Sequence, residues 1–156
     1  FLHLITQIRA LSPQAGIRSN VIVGFPGETQ EEFDELVNFL SQARLDAIGV
    51  FGYSDEDKTE ALTLENKVDQ EVINSRVELL SKLVDEFLMQ RAEERIGESV
   101  RVLIEDEEGQ EGRAEHQGPE VDGSTYIKGR AKYKVGEYVD AIVTEVSGVD
   151  LIAVPL

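Results

Sequence analysis

Hydrophobic residues in the first eleven positions recur at helical spacing: Leu2, Leu4, Ile5, Ile8 and Leu11. The spacing predicts a helix that stops at Ser12-Pro13, because a residue before proline is pushed out of α geometry. The period then changes. Ile17 to Val23 closes on the unbroken run Val21-Ile22-Val23, which reads as a buried strand. A Gly24-Phe25-Pro26-Gly27 turn follows. Thr29 and Glu32 have the spacing of a capping box, and Phe33, Leu36, Val37 and Leu40 then share one helical face. Glu28, Glu31, Glu32, Asp34 and Glu35 sit in the loop and first turns, where the helix dipole favours carboxylates. Ala47 to Phe51 is a second apolar strand. Strand, turn, helix and strand at this spacing form a βαβ unit, which requires a parallel sheet and a right-handed crossover.

Residues 54–66 read as an acidic loop. Asp69 caps a long helix to about Ile96, with Ile73, Val77, Leu80, Val84 and Phe87 as its core stripe and Gly97 as terminator. Beyond Gly97 the apolar segments shorten: Val100–Ile104, Thr125–Lys128, Tyr138–Val146 and Val149–Val154. Short strands at this spacing predict a small antiparallel β-barrel. Glu105 to Gly112 reads as an acidic, glycine-containing turn, and His116 as solvated in an irregular Gly/Pro-rich stretch. The fold class is α/β plus all-β, with residues 1–92 as one unit and 93–156 as the other.

Composition narrows the chemistry. The chain has 156 residues, no cysteine and two histidines. Thiolate metal sites, disulfides and cysteine nucleophiles are therefore excluded on it. No apolar run approaches the roughly 20 residues of a membrane span, and no basic leader opens the sequence. The lack of an initiator Met suggests a piece of a longer protein. Net charge is −16. Residues 1–92 carry 8 basic and 16 acidic side chains, and residues 93–156 carry 7 and 15, so each half stands at −8. Such a surface repels phosphate backbones and attracts basic partners. Acidity that serves only solubility is the ordinary alternative.

Parallel α/β folds build their sites at the carboxyl ends of strands. Gly24 and Gly27 permit close approach or positive φ there, and the following helix brings backbone N–H groups to the same edge. The turn either holds a polar ligand or is an ordinary βα turn. Phe51 and Tyr53 end the neighbouring strand, as a platform for a planar ring or as core aromatics. Arg18, in an otherwise apolar strand, needs an anion or solvent. It is a carboxylate clamp or a strand-edge salt bridge. No catalytic residue and no metal ligand is assigned to this chain.

Ile17-Arg18-Ser19-Asn20-Val21-Ile22-Val23-Gly24-Phe25-Pro26-Gly27-Glu28-Thr29 with Glu31-Glu32-Phe33 resembles the late-barrel signature of the radical S-adenosylmethionine methylthiotransferases. Phe51-Gly52-Tyr53-Ser54 leading to Thr59-Glu60-Ala61 resembles the family's aromatic-Tyr-Ser stretch. Ile96-Gly97-Glu98-Ser99-Val100, Gly112-Arg113 and Gly118-Pro119-Glu120-Val121-Asp122-Gly123 resemble its TRAM domain. The resemblance implies a partial parallel (β/α) radical-SAM barrel followed by a TRAM β-barrel. It also implies S-adenosylmethionine as cofactor and two 4Fe–4S clusters in the full-length protein, whose cysteine ligands this chain lacks. Arg18, Ser19, Asn20, Ile22, Gly24, Phe51 and Tyr53 would line the S-adenosylmethionine pocket, with Val21 to Val23 as an apolar wall.

The family has a tRNA branch and a branch that methylthiolates the β-carbon of an aspartate in a small-subunit ribosomal protein. The loop Ser54-Asp55-Glu56-Asp57-Lys58-Thr59 is acidic and resembles the protein-modifying branch, although Lys58 stands where glycine is usual. The expected partner is a basic small-subunit ribosomal protein held by the acidic barrel, with no membrane, a monomeric cytoplasmic enzyme, and a segment inactive by itself. The alternatives are part of a tRNA adenosine methylthiotransferase, or a non-enzymatic adaptor for a basic protein.

Overall fold

A computed structural model describes residues 1–119 and 122–156. Helix α1 (Leu2–Leu11) leads into strand β1 (Arg18–Val23), helix α2 (Gln30–Ala43) and strand β2 (Ala47–Gly52). β1 and β2 pair in parallel, with Arg18 opposite Ala47, Asn20 opposite Gly49 and Ile22 opposite Phe51. The βαβ unit therefore forms as the spacing predicts. Thr29 caps α2: its side chain accepts the Glu32 N–H at 3.2 Å, and the Glu32 carboxylate accepts the Thr29 N–H at 2.8 Å. Helix α3 (Gln70–Glu93) starts at Asp69, whose carboxylate accepts the Glu71 N–H at 3.1 Å. It ends a turn short of Ile96.

The core of this first unit lies on one side of the sheet. Val23, Phe33, Leu40, Ala43, Leu45, Leu80 and Val84 are buried together, with Val21, Ile48 and Val50 packed against them. Among the described residues, helices cover that side only. On the other side, Ile22 and Phe51 are 56% and 55% exposed. A sheet with one covered face normally alternates apolar and polar residues. Here the uncovered face is apolar at its upper end.

The second unit is a closed barrel of β3 (Ser99–Ile104), β4 (Glu111–Ala114), β5 (Thr125–Ile127), β6 (Tyr138–Ser147) and β7 (Asp150–Pro155). β6 returns to lie beside β3, the Greek-key arrangement. Every ladder is antiparallel except β5 with β7, which is parallel and closes the ring. Val102, Ile104, Ala114, Ile127, Val139, Ala141 and Ala153 fill the interior. The sequence reading of 105–112 as turn alone misses the start of β4. Glu111-Gly112-Arg113-Ala114 carries no apolar alternation, and it is a strand because β3 and β5 flank it.

The barrel sits beneath the amino ends of β1 and β2. Ala92 of α3 packs on Val143 and Leu151 of the barrel. Gly16, just before β1, lies so close that a Cβ there would come within 2.3 Å of the His116 carbonyl oxygen. His116 is accordingly not solvated: it is half-buried between the units, which corrects the expectation from its polar neighbours.

Candidate functional site

Three regions hold the candidate residues. The first is the edge at the carboxyl ends of β1 and β2. Gly24 is buried at φ +78, and a Cβ there would stand 2.4 Å from Ile73 Cγ1 of α3. Its missing side chain thus admits a helix. The Gly24 N–H donates to Glu28 Oε1 at 2.9 Å, and the same oxygen takes the buried Arg76 guanidinium. Arg76 in turn lies over the Phe33 ring, 5.3 Å from its centroid. Glu28 therefore folds back and holds the turn closed. The spacing alone gave no sign of this, since Arg76 is 48 residues away.

Tyr53 extends the ladder by donating its N–H to the Val23 carbonyl at 2.8 Å. Its ring meets Phe25 edge-on at 5.4 Å, and its hydroxyl donates to Asp55 Oδ1 at 2.7 Å. Lys67 Nζ donates to the same Asp55 oxygen at 2.5 Å and stands 5.0 Å from the centre of the Tyr53 ring. The Lys67 hydrogen bond, with that of Tyr53, holds the Asp55 carboxyl below its ordinary range and raises Lys67 in return. The acidic loop is thereby tied to the second strand.

The second region is the uncovered face. Asn20, Ile22, Gly49 and Phe51 lie on it by strand alternation and register. Asn20 Oδ1 occupies the space over Gly49, 2.4 Å from where a Cβ would be. Ser19 points to the opposite face with Val21 and Val23, so the structure does not bring it together with Asn20 and Ile22. Of the proposed apolar wall, only Ile22 stays on the open side.

The third region is the foot of the sheet. Arg18 opens β1, a full six-residue strand from Val23, so it is separated from the upper edge by roughly 17 Å. It lines a cavity of about 160 Å³ with Asn20, Gly49, Phe51, Leu88 and the barrel residues Asp122 and Val149. Its Nη1 is 3.9 Å from Asp122 Oδ1, too long for a hydrogen bond. Asp122 lies in the Gly118–Gly123 motif. Glu120 and Val121 lie outside the described residues.

Beside this cavity is an ionic cluster that the sequence did not announce. Asp46, at the entrance to β2, has a side chain only 5% exposed. Its Oδ1 accepts from Arg91 Nε at 2.9 Å and from Arg95 Nη2 at 2.5 Å. Its Oδ2 accepts the Ile17 N–H at 2.9 Å and lies 3.8 Å from Arg9. Arg95, 2% exposed, spends its other nitrogen on Glu98 at 2.8 Å. His116 lines the same space. Burial, then the Arg95 charge, pushes its imidazole down to about 4. Among the described residues no cluster of side chains has the makings of a metal site, and no helix is long and apolar enough to cross a membrane.

Residues 96–156 match the family model described as TRAM domain. The whole chain is 59% identical to the ribosomal protein uS12 methylthiotransferase RimO of Saccharopolyspora erythraea. It is 57% identical to that of Kineococcus radiotolerans and 55% identical to that of Streptomyces avermitilis. All of this chain is covered in each case, against 33%, 34% and 32% of the relatives. The chain spans about a third of the length of the curated relatives it matches. The similarity extends over all of this chain, and on that ground the chain belongs to the family of these relatives, with the TRAM domain at residues 96–156.

Proposed function

We propose that this chain is the C-terminal part of an enzyme that adds a methylthio group to the β-carbon of an aspartate in ribosomal protein uS12, by radical S-adenosylmethionine chemistry. The observation that carries the reading is the 59% identity, over the whole length of the chain, to a protein named as a ribosomal protein uS12 methylthiotransferase. Residues 1–92 are then the late part of the radical-SAM barrel. The chain holds no cysteine, so both 4Fe–4S clusters would be ligated elsewhere in the enzyme, and the segment alone is inactive.

The uncovered sheet face fits one wall of a cofactor site. Ile22 and Phe51 offer apolar surface to the adenine, and Asn20 offers an amide that can both donate and accept. Gly49 leaves room for that amide. Arg18 and Ser19 are weaker members, one at the foot and one on the covered side. Gly24 and Tyr53 act by shaping the edge rather than by reaching the cofactor. When bound, S-adenosylmethionine supplies the radical and the methyl group. The residues here bind and orient it and keep water from the apolar wall.

The barrel supports a basic protein partner. Glu105, Asp106, Glu111 and Asp150 rim a groove of about 580 Å³, with Arg113 already spent on Glu105 at 2.6 Å. A surface of this sign favours a cationic ribosomal protein over tRNA. The enzyme works as a cytoplasmic monomer in this reading. The test incubates the complete reconstituted enzyme with S-adenosylmethionine, a reductant and either uS12 or unmodified tRNA, followed by mass spectrometry. The reading expects one methylthio group on a uS12 aspartate and unchanged tRNA. Modified adenosine with unchanged uS12 would overturn it.

A further inference from the structure

We infer that Asp46, Arg91 and Arg95 are positioning residues: they lock the TRAM barrel at a fixed attitude beneath the sheet, so that a protein bound to the barrel presents its target to the opposite, reacting edge. The inference rests on the methylthiotransferase reading for its functional half.

The geometry is specific. One carboxylate at the start of β2 takes two guanidinium groups on a single oxygen, and a backbone N–H on the other. Arg91 lies in the last turn of α3, and Arg95 lies between α3 and β3. Arg95 then joins Asp46 of the first unit to Glu98 at the threshold of the barrel. Arg91 and Arg44 share Glu94 on the outer side, at 3.2 and 2.5 Å. The connection from α3 to β3 is thus a clamped segment. Around it the Gln14 amide donates to the Ser99 carbonyl at 3.2 Å, and Ala92 packs on Leu151. A flexible tether needs none of these contacts.

The clamp acts over distance. The barrel touches the amino ends of β1 and β2, while the family's chemistry belongs at their carboxyl ends, one strand length away. A partner held on a freely turning barrel would offer its target at a low effective concentration. A fixed barrel raises that concentration without any new contact. Burying a carboxylate among three arginines is costly unless the geometry is held, and orientation is what this geometry holds.

This chain holds no cysteine, so a labelling pair can be introduced into it cleanly. Asn38→Cys on α2 and Lys132→Cys on the barrel, both exposed, take a pair of spin labels for distance measurement by pulsed electron resonance. The unaltered clamp gives one narrow distance distribution. Asp46→Asn, which keeps an acceptor for Ile17, broadens it severalfold, and Arg91→Lys broadens it less. Far-ultraviolet dichroism identifies any variant that fails to fold. Distributions that stay equally narrow in the folded variants overturn the inference, as does a broad distribution in the parent.

The second arm uses the complete enzyme. Asp46→Asn lowers kcat/KM for whole uS12 about tenfold, mostly through KM, and changes turnover of a short peptide carrying the target aspartate less than twofold. Equal losses on protein and peptide overturn the positioning role. A complete enzyme that modifies neither uS12 nor the peptide, while the labelled chain keeps its clamp-dependent distance distribution, removes the substrate reading and leaves the lock standing.

Discussion

At the scale of single residues, strand alternation decides what the candidate site contains. Ser19 and Asn20 are neighbours in sequence and face opposite sides of the sheet, so only one can serve the open face. That distinction was legible from the period of two. The role of Gly24 was half legible: its turn demands positive φ, but that it admits Ile73 depends on α3 arriving fifty residues later. Gly24→Ala should destabilise the chain by about 2 kcal/mol through overpacking and backbone strain. Urea unfolding reads this as a lower midpoint, and an unchanged midpoint would contradict it. His116 was misjudged because its neighbours in sequence are polar while its neighbours in space belong to the other unit. Its folded pKa of about 4 lies below the ordinary 6.5. Its neutral form therefore contributes stability in full above pH 6.5, and that contribution drains away as pH falls toward 4. The melting temperature should drop between pH 6.5 and 5, where most carboxylates scarcely titrate. His116→Gln should flatten that slope, and a slope unaltered by the substitution would refute the assignment.

Elements were legible wherever the apolar period was strong. β1, α2, β2, α3, β3 and β6 follow from spacing and capping residues alone. β4 did not, because its four residues owe their conformation to the strands on either side. The two sheets differ in how they end. The barrel closes on itself and leaves no free edge, whereas β1 and β2 form a two-stranded sheet with unpaired outer edges among the described residues. Open edges pair with other chains. Residues 96–156 produced alone should unfold cooperatively as a monomer. Residues 1–92 alone should associate in a concentration-dependent way, visible by analytical ultracentrifugation. A dilute, monomeric and cooperatively melting 1–92 would show that the single packed face suffices.

For the whole molecule, charge and architecture point the same way. The chain stands at −16, so a basic partner gains from long-range attraction that salt screens beyond about 10 Å at 0.1 M. Its affinity for uS12 should fall steeply between low and moderate salt, while tRNA should fail to bind even at low salt. Tight tRNA binding by the isolated barrel would reverse the choice of substrate. The way the two units join was not legible in the sequence, since nothing in the spacing of Asp46, Arg91 and Arg95 marks them before the fold sets them around one buried point.

The proposed function rests most heavily on the open face of the β1–β2 sheet serving as a cofactor wall. Amide chemical shifts of the isotope-labelled chain, recorded while S-adenosylmethionine is added, test this most directly. The predicted result is a set of saturable shifts at Asn20, Ile22, Gly49 and Phe51, with the barrel strands unmoved. Shifts confined to the barrel, or none anywhere at millimolar cofactor, would contradict it.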